Sequence, residues 1–176
     1  MSKVIGIDIS KQTFDVSFRE ENKLLHEVYA NNLKGFKEFI ESDYCKSDPI
    51  VVMEASGPYY VCFASYLYDH AIKVCVVNPL MVKRFGQMKF YRAKTDKKDA
   101  SVIMEYGETV IKSLSLWKPE TKGVQSLKQM RTTVELLHKQ ERQSKNQLSA
   151  FKSSGFLNHE VERGLKSIIR SLEKTI

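Results

Sequence analysis

The chain has 176 residues, of which 42% are apolar and 28% charged, with a formal net charge of +7. This length suits one well-packed domain with an appended helical element, and the composition excludes overall disorder. No apolar run is long enough to cross a bilayer, and the first twenty residues, with Lys3, Asp8, Lys11 and Asp15, lack a secretory-type apolar stretch, so a cytoplasmic protein is expected.

In chain order, Val4 to Ile9 is a β-branched run, and Thr13 to Phe18 alternates Phe14, Val16 and Phe18 with polar partners; both read as strands. Leu24 to Tyr29 is a third candidate strand. Asn31-Asn32 opens a helix over Leu33 to Ser42, with Leu33, Phe36, Phe39 and Ile40 on one face. Ile50 to Met53, after Pro49, has the continuous apolar character of a strand buried on both faces, and Glu54 sits at its end.

Gly57-Pro58 marks a turn, after which Tyr60, Phe63, Ala64, Leu67 and Tyr68 form a helical stripe. Ile72 to Val77 repeats the buried-strand pattern, Asn78-Pro79 closes it, and Met81, Val82 and Phe85 suggest a short helix. This strand–helix–strand–helix order implies parallel crossovers. A helix from Lys94 to about Gly107 is expected to open near Thr95 as its cap and to turn Ala100, Ile103 and Met104 inward.

The domain boundary is expected near residues 115 and 116, ahead of Lys118-Pro119. Beyond it, Leu127, Met130, Val134, Leu137, Glu141, Ser144, Leu148 and Phe151 keep a heptad spacing, so residues 116–176 read as a coiled coil or helical hairpin. Ser153-Ser154-Gly155 breaks this helix, and Leu165, Ile168, Ile169 and Leu172 supply a second amphipathic one.

Charge is unevenly distributed. Residues 1–80 hold 8 Lys/Arg against 11 Asp/Glu, a net −3, whereas residues 81–176 hold 20 against 10, a net +10. Between Lys83 and Lys98, seven cations (Lys83, Arg84, Lys89, Arg92, Lys94, Lys97, Lys98) face only Asp96. A concentrated basic stretch is the footprint of a polyanion-binding surface, although a solvated face has the same composition. Tyr91, set among these cations, is a candidate for stacking on a base.

Four carboxylates stand out: Asp8 within the first strand, Glu54 at the tip of a buried strand, and Asp96 and Asp99 in the first helical turn after the basic run. Acids in apolar strands need a partner or a cation, because burying an isolated carboxylate costs several kcal/mol. Asp96 and Asp99 are three apart and share a helix face. Hard cations such as Mg²⁺ take oxygen ligands and share them with phosphates, which points to phosphodiester chemistry. Each acid alone has a commoner explanation, helix capping for the Asp pair and local hydrogen bonding or ion pairing for the other two.

His26, His70, His138 and His159 show no metal-ligand spacing. Ser56 reads as a turn residue rather than a nucleophile. Tyr59, Tyr60, Tyr66 and Tyr68 read as packing residues at helical spacing. Cys45, Cys62 and Cys75 read as reduced core thiols.

Gly6-Ile7-Asp8-Ile9-Ser10-Lys11, Met53-Glu54-Ala55-Ser56-Gly57-Pro58-Tyr59, Val77-Asn78-Pro79 and Lys94-Thr95-Asp96-Lys97-Lys98-Asp99-Ala100 together resemble, in order and spacing, the DEDD transposases of the insertion-sequence 110 and Piv invertase type. The resemblance implies an α/β fold of RuvC-like, ribonuclease H type over residues 1–115, followed by a coiled-coil region. It implies that Asp8, Glu54, Asp96 and Asp99 bind Mg²⁺ (or Mn²⁺) and catalyse DNA cleavage and strand transfer. Lys11 and the basic residues above, with Tyr91, would then contact nucleic acid. It further implies DNA and an element-encoded guide RNA as partners and homo-oligomerisation, to a dimer or tetramer, through the coiled coil. Family members also carry a carboxy-terminal domain with a nucleophilic serine, which these residues do not include, so recombination by this chain alone is not expected.

Two other classes fit parts of the pattern. An actin-like ATPase shares the Gly-x-Asp strand start but calls for a second glycine-rich phosphate loop. A non-catalytic nucleic-acid-binding and oligomerisation module needs only the basic run and the heptads.

Overall fold

A computed structural model describes residues 4–21, 23–89 and 96–176, leaving the side chains of 96–98 undescribed. Five strands form one mixed sheet: β1 (Val4–Ile9), β2 (Thr13–Glu20), β3 (Lys23–Ala30), β4 (Ile50–Glu54) and β5 (Lys73–Val77), in the order β3-β2-β1-β4-β5. β1, β2 and β3 pair antiparallel, while β4 and β5 run parallel to β1. This is the ribonuclease H-like order that the resemblance implies.

Period-two alternation assigns the two sheet faces. Ile5, Ile7 and Ile9 join Phe14, Val16, Phe18, Val51 and Met53 in one core. Helices α1 (Leu33–Glu41) and α3 (Tyr60–Asp69) cover it with Phe36, Phe39, Phe63 and Leu67. Phe14 is at its centre, with ring centroids 4.3 Å from Phe63, 5.9 Å from Phe39 and 6.1 Å from Phe36. On the other face, Val4, Val52, Cys75 and Val77 pack against α4 (Pro79–Met88) and α5 (Asp96–Val110) through Val82, Phe85, Val102, Ile103 and Met104. β1 and β4 are thus covered on both sides, which is why they read as nearly continuous apolar runs.

Local chemistry sets the helix starts. The Asn32 side chain accepts from the Lys34 and Gly35 N–H groups, and Asn78 accepts from Leu80 N–H with Pro79 as first helical residue. The expected helix at 81–85 is therefore longer. Asp43–Lys46 adds a four-residue helix, α2, that periodicity cannot reveal. The Thr95 cap expected for α5 lies outside the described residues.

Two sequence readings are corrected. Cys62 is exposed on α3, unlike buried Cys45 and Cys75, because it falls on the helix face away from Phe63 and Leu67. Burial pushes the Cys45 thiol up to about 11 and raises that of Cys75. Likewise Tyr59 and Tyr68 are exposed, and only Tyr60 and Tyr66 pack on the core.

Packing divides the chain into two compact units, Met1–Pro119 and Glu120–Ile176. In the first, Trp117 packs against the Phe14 core and its N–H donates to Val74 C=O at 2.7 Å. The second is a helical hairpin of α6 (Lys122–Ser153) and α7 (His159–Thr175), capped by Thr121 and Asn158. Its contacts fall in the second half of the heptad seam: Leu137, Glu141, Ser144 and Leu148 are half-buried, Ile169 of α7 is buried, and Lys145 bridges Glu141 and Glu173. Leu127 and Met130, in the first half, are 68% and 61% exposed. Among the described residues no helix is long and apolar enough to cross a membrane.

Candidate metal centre

Strand register brings the first two acids together. Ile7 of β1 lies opposite Met53 of β4 in the parallel ladder, so Asp8 and Glu54, each one residue further on, come side by side at the carboxyl ends of their strands. They share a face: Asp8 follows the parity of Val4 and Gly6, and Glu54 that of Ile50 and Val52, all on the side packed by α4 and α5. Ligand crevices of open α/β sheets lie off this carboxyl edge.

Helix α5 brings the remaining acids to the same edge. A Cβ on Gly107 would meet Val4 and Val52, while one on Gly6 would lie 2.3 Å from Ala100 O and Met104 N. Moving up β1 from Val4 to Gly6 therefore means moving back along α5 from residue 107 towards 100. The helix runs antiparallel to β1, and its first turn reaches the level of Asp8. Arg19 of β2 ties the other end down, pairing with Glu108 at 3.3 Å and Glu105 at 3.7 Å.

Asp8, Glu54 and Asp99 are half-buried and engaged in interactions within the chain. Asp96 is the first residue of α5, and its side chain is outside the described set. Among the described residues no three His, Cys, Asp or Glu side chains are grouped closely enough to hold a metal ion. What the described backbone supplies is adjacency of Asp8 and Glu54 under the start of α5, with oxygen donors of the type hard cations take.

Of the basic candidates, Lys11 is exposed in the β1–β2 turn just beyond Asp8, and Lys83, Arg84 and Lys89 are exposed on or just after α4, which starts immediately after β5 at the same edge. Lys89 Nζ lies over the Phe85 ring at 5.6 Å from its centroid. None of the four forms an ion pair among the described residues. Tyr91, Arg92 and Lys94, and the side chains of Lys97 and Lys98, lie outside the described residues.

Sequence reasoning assigns Asp15 no role and sets His26 aside for want of metal-ligand spacing. Asp15 is directly opposite Asp8 in the β1–β2 ladder, and His26 Nε2 is 2.7 Å from Asp15 Oδ1. The signal was present in the polar half of the Thr13–Phe18 alternation, but only register shows which polar residue faces Asp8.

Fold and edge together define a ribonuclease H-like domain with acids at the carboxyl ends of its central strands. The chain belongs to the DEDD transposases of the insertion-sequence 110 type, whose family model, described as a transposase, matches residues 5–153. Pilin gene-inverting proteins of Moraxella bovis and Moraxella lacunata are each 35% identical to it over 126 residues, 69% of this chain. That alignment spans 38% of each relative's length. T. thermophilus RuvC, solved in complex with a Holliday junction substrate, aligns over 66% of this chain and 100% of its own at 12% identity and a TM-score of 0.45.

Proposed function

We propose that this chain is the metal-dependent DNA-cleaving part of a transposase or site-specific recombinase that acts in the cytoplasm, with Asp8, Glu54, Asp96 and Asp99 as its acid set. The observation that carries it is the register that sets Asp8 beside Glu54 at the strand edge reached by the first turn of α5. Membership of the transposase family and likeness to DNA-inverting proteins support the same chemistry.

Mg²⁺ or Mn²⁺, when bound, supplies Lewis-acid stabilisation of charge on phosphate oxygens. The protein's own part is to hold the oxygen donors. Asp8 and Glu54 are fixed by a hydrogen-bonded ladder, and Asp99 by the close seating of α5 on Gly6. Half-burial limits competing water, and Lys11, Lys83, Arg84 and Lys89 draw a phosphate backbone towards that edge. Tyr91, Arg92, Lys94, Lys97 and Lys98 are proposed as further nucleic-acid contacts on their chemistry alone. A guide RNA is a second polyanion suited to the same charge. A second copy, joined through the α6 seam, completes the proposed assembly, and strand transfer calls for the serine-bearing domain that the family resemblance implies.

Titration calorimetry tests the acid set. Mn²⁺ binding by the full chain is expected to disappear in Asp8→Ala and Asp99→Ala, and equal binding by either variant refutes its place in the set. Nucleic-acid contact is tested separately. Affinity for duplex DNA should fall steeply between low and moderate salt, and Lys83→Glu with Arg84→Glu should weaken it by at least tenfold and flatten the salt slope. Salt-insensitive binding, or none, argues against this surface.

A further inference from the structure

We infer that Asp15, anchored by His26, is a fifth carboxylate of the acid edge and serves as a positioning residue for Asp8, an inference that rests on the metal-site reading proposed above. Asp8 and Asp15 are direct partners in the antiparallel β1–β2 ladder. Such partners project from the same face with Cβ atoms about 5 Å apart. Asp15 is no ordinary surface acid, since its side chain is only 15% exposed. His26, at 16%, is equally enclosed, and its Nε2 meets Asp15 Oδ1 at 2.7 Å.

Like charges directly opposite one another repel, so a strand pair gains nothing from this placement by itself. The placement makes sense as a device that biases Asp8. On one side Asp8 has Asp15, and on the other it has Glu54, its neighbour across the parallel ladder. Repulsion from Asp15 disfavours turning the Asp8 carboxylate towards β2. With a cation held between Asp8 and Glu54, the same negative charge adds attraction for that cation without taking a ligand position. His26 is what keeps the roles separate. By engaging Oδ1, it holds Asp15 on the β3 side and stops it from competing with Asp8 as a ligand. Loss of groups hydrogen-bonded behind metal ligands typically lowers metal affinity by roughly 10- to 100-fold, and Asp15, acting on Asp8 through charge, belongs at the lower end of that range.

The test uses Mn²⁺ alone with the 176-residue chain, in calorimetry on Asp15→Asn, His26→Ala, the double variant and Asp8→Asn. Asn keeps the shape of Asp15 and an acceptor for His26, so an unchanged melting temperature is expected. Mn²⁺ affinity of Asp15→Asn should fall roughly tenfold. His26→Ala should also weaken binding, and the double variant should bind no more weakly than Asp15→Asn, since His26 acts through Asp15. Wild-type affinity in Asp15→Asn, with binding abolished in Asp8→Asn, overturns the positioning role and leaves the metal site standing. Fully additive losses in the double variant overturn the His26 link. Unaltered binding in Asp8→Asn removes the metal site itself, and the inference with it. If Asp15→Asn loses stability, Asp15→Glu, which restores the charge, decides: recovered affinity upholds the role, and affinity no better than that of Asp15→Asn rejects it.

Discussion

Gly6→Ala is expected to destabilise the first unit by about 3 kcal/mol, the upper end of what overpacking a close-packed interior costs. It should lower the melting temperature by roughly 10 °C. A methyl group at this position meets Ala100 O and Met104 N at 2.3 Å, both backbone atoms of one helical turn, and the Met104 Cβ at 2.6 Å. No rotamer change relieves backbone atoms, so either β1 or α5 must move. β1 is the central strand, hydrogen-bonded on both sides to β2 and β4, so the helix is the element that yields. α5 carries Asp99, which links the stability loss to the proposed metal site: if that proposal holds, the variant should also lose Mn²⁺ binding. Gly164→Ala in α7 is the matched control. Nothing lies within 4 Å of a Cβ there, and it sits mid-helix, so that variant should be more stable by up to about 1 kcal/mol. Thermal unfolding of the two variants beside the parent gives both signs at once. A Gly6→Ala protein melting with the parent would mean that α5 does not seat on β1 as described.

The elements that sequence could show were those whose burial pattern is local. β1, β4 and β5 are covered on both faces and read as apolar runs, while α3 reads as a stripe because Phe63, Ala64 and Leu67 recur on one side. Glu54 was likewise legible at the tip of its strand and Asp8 within the first one. What stayed hidden depends on pairing. Nothing in Val4–Ile9 or Ile50–Glu54 specifies that residue 8 sits beside residue 54 rather than 52, because the parallel register is set by packing of distant segments. Asp15 and His26 escaped for the same reason, their shared face being fixed by two successive antiparallel registers. Gly6 looked like part of a motif only. Its physical role, close approach to α5, exists only when residues about a hundred positions apart meet. Cys62 and Tyr68 show the converse error: Cys62 reads as core from its apolar neighbours and Tyr68 from helical spacing, and the helix turns both outward.

Charge placed in the first half of the α6 seam is expected to convert the proposed oligomer to a monomer. Leu127, Met130 and Val134 follow the a/d spacing of a heptad and are 68%, 61% and 40% exposed. Each forgoes roughly 1.5–3 kcal/mol of burial for as long as it faces water. Within the hairpin, α7 packs on α6, and the half-buried seam positions of α6 begin at Leu137 and continue through Leu148. The stripe therefore runs continuously from a face covered within the chain to one that is not. A second copy carrying the same stripe fits it, because a two-fold interface sets one patch against itself. In that geometry Leu127→Glu with Val134→Glu introduces four carboxylates into one seam. Each costs several kcal/mol if buried without a partner, well beyond what the displaced leucine and valine contribute. Helix content should be unchanged, since glutamate forms helices as well as leucine does. Sedimentation equilibrium on the parent and the variant reads the outcome directly: a parent of dimer mass or greater and a monomeric variant are expected. A parent that is already a monomer at tens of micromolar, or a variant with unchanged mass, would remove the seam from the assembly.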